Sequence, residues 1–158
     1  MSKVVLVFFL YLPLVSYANE FVPKTLDSFK QLHQFESVSK FETYVNTYVQ
    51  TCIDNSFGGS LSVRCFVQTK LWDKELNRYY KLLYQSLDKQ GKSNLKVSQR
   101  LWLKTQDETI KLNSYLLDKQ FNNKSGTMYV AMRVGEASDR ISPIIKERAL
   151  LLKNGIKV

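Results

Sequence analysis

The run WDKELNRYYKLLYQSL, residues 72–87, carries apolar side chains at Trp72, Leu76, Tyr79, Tyr80, Leu83 and Leu87. Steps of three and four place them on one face of an α-helix. The same period returns at Val38, Phe41, Val45, Tyr48, Val49 and Cys52, and no stretch sustains the period-two alternation of a half-buried strand. Stripes of this kind are buried by laying helix against helix. The expected fold is therefore all-α, a small antiparallel helical bundle of about four helices.

Breakers between the periodic stretches predict the boundaries. A first helix runs from Ser37 to Ile53, with Ser39 and Glu42 spaced as a capping box. DNSFGGS, residues 54–60, is a turn. A long helix is expected from Leu61 to Gln90, a break at GKSN (91–94), and a third helix from Leu95 to Phe121. NNKSGT (122–127) precedes a last helical segment from Met128 to Lys153, ended by Gly155. Pro143 falls inside that segment; it lacks an amide donor and crowds the preceding turn, so a kink or two shorter helices are expected. Residues 19–36 form a polar lead with one short helical candidate after Pro23.

The first residues do not fit the bundle. MSKVVLVFFLYLPLVSYANE has an early Lys3, an apolar run from Val4 to Val15 and small residues around Ala18. That run is short of the ~20 residues needed to span a bilayer and reads as a signal peptide cleaved after Ala18. The expected plan is 1–18 signal peptide, 19–40 N-terminal extension and 41–158 helical domain, with the mature protein periplasmic or secreted. Two cysteines, Cys52 and Cys65, in an exported chain read as a disulfide. A metal site would need more ligands than His33, the single histidine, can supplement.

The formal net charge is +9, and it is uneven. Residues 91–158 hold thirteen Lys/Arg against six Asp/Glu, whereas 19–90 hold nine against eight. A basic half of this kind can attract an anionic envelope surface through Lys104, Lys111, Lys119, Arg133 and Arg140, or serve as a solvated face. Export and the lack of any nucleic-acid motif set nucleic acid aside. There is no Gly-rich phosphate loop, His-Glu-x-x-His or nucleophile elbow. The adjacent acids Asp107 and Glu108 project about 100° apart on a helix and do not converge. The chain is expected not to be an enzyme, and to use no metal and no cofactor.

Beside the apolar face of 72–87 runs a polar stripe, Asp73, Asn77 and Tyr80. It is expected to meet Gln99, Arg100 and Trp102 of the next helix, with Asp73 and Arg100 as a charge-assisted pair that fixes register. The alternative is a groove for a glycan or peptide.

These residues carry a resemblance. Cys52 and Cys65, then Asp73, Leu76-Asn77 and Tyr80, the block Ser98-Gln99-Arg100-Leu101-Trp102, Asp107, Gly126-Thr127 and Arg148 follow the order of the LprI-like lysozyme inhibitor family over residues 44–153. The resemblance implies a disulfide-tied helical protein of the bacterial envelope and, for the family's namesake, inhibition of lysozyme. Many members carry a second cysteine pair; here Ile110 takes one of its positions, and the other falls near Arg140. The expected function is a non-enzymatic binding protein that occupies a lysozyme or related muramidase. The alternative is an envelope adaptor that holds an anionic component through the basic half. Loops present side chains to clefts, so the Asp54–Arg64 loop is the expected binding element, with Asn55, Ser56, Phe57 and Ser60 as its candidates. Animal lysozymes are basic, and residues 19–63 hold five acids against three lysines, which favours contact through this half.

Overall fold

Ser37 opens the first helix, α1 (Val38–Asp54), by accepting a hydrogen bond from the Lys40 amide at 3.2 Å; it supplies the cap in place of the Ser39–Glu42 box. The buried face of α1 is the periodic one: Phe41, Val45, Tyr48, Val49 and Cys52. Three further helices follow, α2 (Gln68–Ser86), α3 (Lys89–Gln120) and α4 (Thr127–Gly155). Single-turn 3-10 segments lie at Leu26–Ser28 and Leu32–Gln34, and a longer one at Gly59–Cys65. This computed structural model describes residues 21–156, and no strand occurs among them. The expected signal peptide and its cleavage after Ala18 lie outside the described residues.

Three expected boundaries are corrected. The long helix from Leu61 to Gln90 is divided, because the 3-10 segment ends at Cys65 and α2 begins only at Gln68. GKSN does not break a helix. The break is at Leu87–Asp88, where the Asp88 carboxylate caps α3 by accepting from the Gly91 amide at 2.7 Å. Pro143 does not divide the last segment: it sits exposed within a continuous α4.

Successive helices alternate in direction. Glu42 of α1 pairs with Lys146 of α4 at 2.6 Å, while Cys52 at the other end of α1 bridges Cys65. Thr69 near the start of α2 meets Ser142 of α4 at 2.7 Å, and Leu83 near its end meets Gly155, so α2 and α4 run in parallel. These two form the centre, with Leu76 and Leu83 facing the side of α4 that carries Ile141, Ile145, Ala149 and Leu152. The segment ahead of α1 adds Phe29 and Leu32 to the same core. Phe29 stands edge-on to Tyr48 at 4.7 Å, and the Leu32 amide donates to Glu75 Oε1 at 3.0 Å. Glu75 is only 2% exposed, and its charge, together with burial, pushes the neighbouring Tyr79 phenol up to about 12, burial being the larger cause.

The Cys52–Cys65 bridge closes a loop between residues 13 apart, worth ~3 kcal/mol in the chain-entropy account. The double variant Cys52→Ala/Cys65→Ala should lose about that much unfolding free energy in a urea titration. An unchanged midpoint would show that the loop is held by its packing alone.

Candidate functional site

The loop between α1 and the 3-10 segment is built so that one side chain is left outside. Asn55 Nδ2 donates back to the Thr51 carbonyl at 2.8 Å, and Ser56, fully buried, donates its hydroxyl to the Ile53 carbonyl at 2.9 Å. Both are occupied in ending α1. Phe57 follows and is 95% exposed. It has a φ of +57°, and Gly58 and Gly59 continue at +74° and +56°. Three successive residues of positive φ fix the path of the chain here, and for a phenylalanine that geometry costs ~1–2 kcal/mol. The loop is held there from both sides. Cys52 and Cys65 close its base, and Gly59 abuts α4 so tightly that a Cβ would lie 2.5 Å from Thr127 Oγ1. Ser60 is exposed beside it. The exposed pair Gly126-Thr127 thus adjoins the candidate loop, although some seventy residues separate them in sequence.

The remaining motif residues converge on Arg148 rather than on Asp73. Arg148 Nε donates to Gln99 Oε1 at 3.0 Å, its Nη2 donates to Ser98 Oγ at 3.0 Å, and the guanidinium lies 5.8 Å from the centre of the Trp102 ring. Arg148 and Gln99 are buried and Trp102 is half-buried. No carboxylate pairs with Arg148 among the described residues. Burial pushes its pKa down. An arginine keeps its proton even so, and the charge is met by an amide, a hydroxyl and a ring face.

The expected polar seam is therefore corrected. Asp73 and Asn77 are exposed and bond each other along α2, Asn77 Nδ2 donating to Asp73 Oδ2 at 3.0 Å. Arg100 and Asp107 point to solvent. Tyr80 stacks on Tyr84 at 6.2 Å, and Leu76 lies in the core. The cause is the position of α3, which leans on α4 and touches α2 little. A groove of about 680 Å³ opens in the wedge, lined by Thr69, Asp73 and Asn77 of α2, Gln106 of α3 and Ile145 of α4. Glu75, by contrast, is buried. The missed signal was its register, three residues after Trp72 and four before Tyr79, on the apolar face.

The five cations expected to carry anion attraction are mostly engaged. Lys111 pairs with Glu108 at 2.8 Å, Arg133 with Asp118 at 2.5 Å and Arg140 with Glu136 at 3.0 Å.

Removing Arg148 should be costly, because it deletes charge-assisted bonds and leaves buried Gln99 unpaired. Arg148→Ala should lower unfolding free energy by about 2–4 kcal/mol, whereas Asp73→Ala and Asn77→Ala should each stay within about 0.5 kcal/mol. Chemical denaturation of the three variants checks this ranking. An Arg148 variant that unfolds like the parent would reverse it.

No curated protein and no solved structure matches this chain. A family model does match, that of the lysozyme inhibitor LprI, across residues 63–147. The match begins in the 3-10 segment just before Cys65, takes in all of α2 and α3, and reaches α4 one residue short of Arg148. It spans more than half of the 158 residues. The chain belongs to the lysozyme inhibitor LprI family.

Proposed function

We propose that this protein is an exported, non-enzymatic inhibitor of a lysozyme or related muramidase, and that Phe57 is the side chain it inserts into the target. The observation that carries the reading is the 95% exposure of Phe57 at the apex of a loop closed by a disulfide. A phenylalanine held in water gains ~1.5–3 kcal/mol when a cleft buries it. Because the positive-φ turn, the bridge and the Gly59–Thr127 contact hold the loop beforehand, little ordering cost opposes binding. Ser60 and the backbone of Gly58 stand beside Phe57 to supply polar contacts, while Ser56 and Asn55 hold the loop from behind.

The test is lysozyme clearance of a cell-wall suspension, with and without the purified protein. The parent should slow clearance, and Phe57→Ala should weaken inhibition by roughly 30-fold or more, the loss typical of a central aromatic anchor. Its melting temperature should not fall, because the Phe57 side chain is 95% exposed and alanine keeps the same Cβ in the positive-φ position. If Phe57→Ala inhibits like the parent while Asp73→Ala or Asn77→Ala abolishes inhibition without unfolding, the α2–α3 groove is the acting surface. A parent protein without effect on any muramidase tried would end the inhibitor reading.

Export would bring the protein to such a target. The intact mass of the protein recovered from the envelope or medium should correspond to a chain beginning at Asn19. A mass that retains residues 1–18 would contradict cleavage after Ala18.

A further inference from the structure

The corner where α2 passes into α3 carries a second surface, unrelated in position to the Phe57 loop. Lys89, Lys92, Ser93 and Lys96 stand on one face of the first turns of α3 and, with Tyr84 of α2, line a cleft of about 420 Å³. Lys92 Nζ lies 5.5 Å and Lys96 Nζ 5.2 Å from the centre of the Tyr84 ring. That ring is fixed by stacking on Tyr80, their planes 22° apart. Two ammonium groups are thus gathered on one aromatic ring, although like charges four residues apart on a helix repel.

Among the described residues no ion pair neutralises them. Between Asp88 and Asp107 the sequence holds Lys89, Lys92, Lys96, Arg100 and Lys104 and not one acid. Asp88 Oδ1 is engaged by the Gly91 amide at 2.7 Å. Among the described residues none of the three cleft lysines enters an ion pair, whereas Lys74, Lys111, Arg133, Arg140 and Lys146 all do.

We infer that this corner binds a phosphate-bearing polyanion. Lysine is a mobile point charge suited to phosphate oxygens. The Ser93 hydroxyl adds a donor between Lys92 and Lys96, and an anion seated in the cleft would relieve the repulsion between them. The shared chemistry is the phosphate group, whether on a free polyphosphate chain or on lipid headgroups.

Two probes separate these sources, each titrated with the full chain in about 150 mM salt, where the Debye length is ~8 Å and charges across the molecule are screened. One is tripolyphosphate, followed by calorimetry. The other is vesicles of phosphatidylglycerol, followed by co-sedimentation against vesicles of phosphatidylcholine. Lys92→Gln/Lys96→Gln should weaken binding at least tenfold. The charge-matched pair Lys104→Gln/Lys119→Gln should change it less than about threefold, because long-range attraction alone is mostly screened. Glutamine keeps helix propensity, and matching thermal melts show that both variants are folded. Binding of tripolyphosphate with this dependence assigns a free polyphosphate; binding only to phosphatidylglycerol with the same dependence assigns headgroups. Equal losses in the two variant pairs would show a diffuse charge effect and overturn the site, and so would the failure of both probes to bind.

Discussion

The contact of α4 with its neighbours holds the rest of the molecule in place, and it depends on small side chains. A Cβ on Gly135 would come within 3.0 Å of the Phe66 ring, so that ring lies directly on the helix backbone. Further along, Ser138 is buried against Thr69 at 3.2 Å, and Ala149 is wholly enclosed beside α2. Interiors packed at crystal-like density transmit such close approaches rather than absorb them. Because Phe66 follows Cys65 directly, seating it against α4 also sets the disulfide and the base of the Phe57 loop. The break between Cys65 and Gln68 falls where these two contacts are made.

Helix α3 is held by different means. Of its 32 residues only Leu95, Gln99 and Leu117 are buried, so apolar burial contributes little to fixing it. Arg148 supplies the register instead, gripping Ser98 and Gln99 beneath Trp102. Toward the far end, Gln120 and Arg140 share Glu136. There Ile110 is exposed and Arg140 lies in that polar cluster. Exposed ion pairs are worth ~0–1 kcal/mol each, far less than a covalent staple. The distal half of α3 is therefore the part of the bundle with the least to hold it, and the first expected to open in local unfolding.

The helices were legible because their stripes are periodic and their caps are chemical. Phe41, Val45, Tyr48, Val49 and Cys52 are buried as their spacing predicts. Partners across helices were not legible, since spacing along one helix says which face is apolar but not which neighbour it meets. Asp73 and Asn77 looked like an inward polar seam because they lie beside the buried Trp72 and Leu76. One position of rotation turned them to water, and the same rotation turned Glu75 inward. Gly91 misled for a related reason: as a helix interior residue it would be a breaker, but behind an Asp88 cap it occupies the first turn, where an amide free to meet the cap is what the position requires. In the loop, Phe57-Gly58-Gly59 read correctly as a turn, while the burial of Ser56 depended on how α1 ends and left no mark in composition.

Charge was the least legible property, because it was counted along the chain and acts through space. A basic C-terminal half seemed set apart from a mildly acidic segment at 19–63. Helix α4 instead carries the C-terminal half back to the loop, where Thr127 touches Gly59. There Arg133 and Arg140 are matched by Asp118 and Glu136. Three lysines without an ion pair gather at the opposite end, around Tyr84, while Arg64 and Lys124 stand exposed near the loop. The 19-residue α2 separates the two ends by about 28 Å at 1.5 Å per residue. That is more than three times the ~8 Å over which exposed charges act at physiological salt. A cationic enzyme seated on Phe57 would therefore scarcely sense the lysine corner, and would meet Asp54, Arg64 and Lys124 at closer range. The overall positive charge, which at first counts against binding a basic partner, does so less than the net count suggests, because the bundle places its densest cluster at the far end.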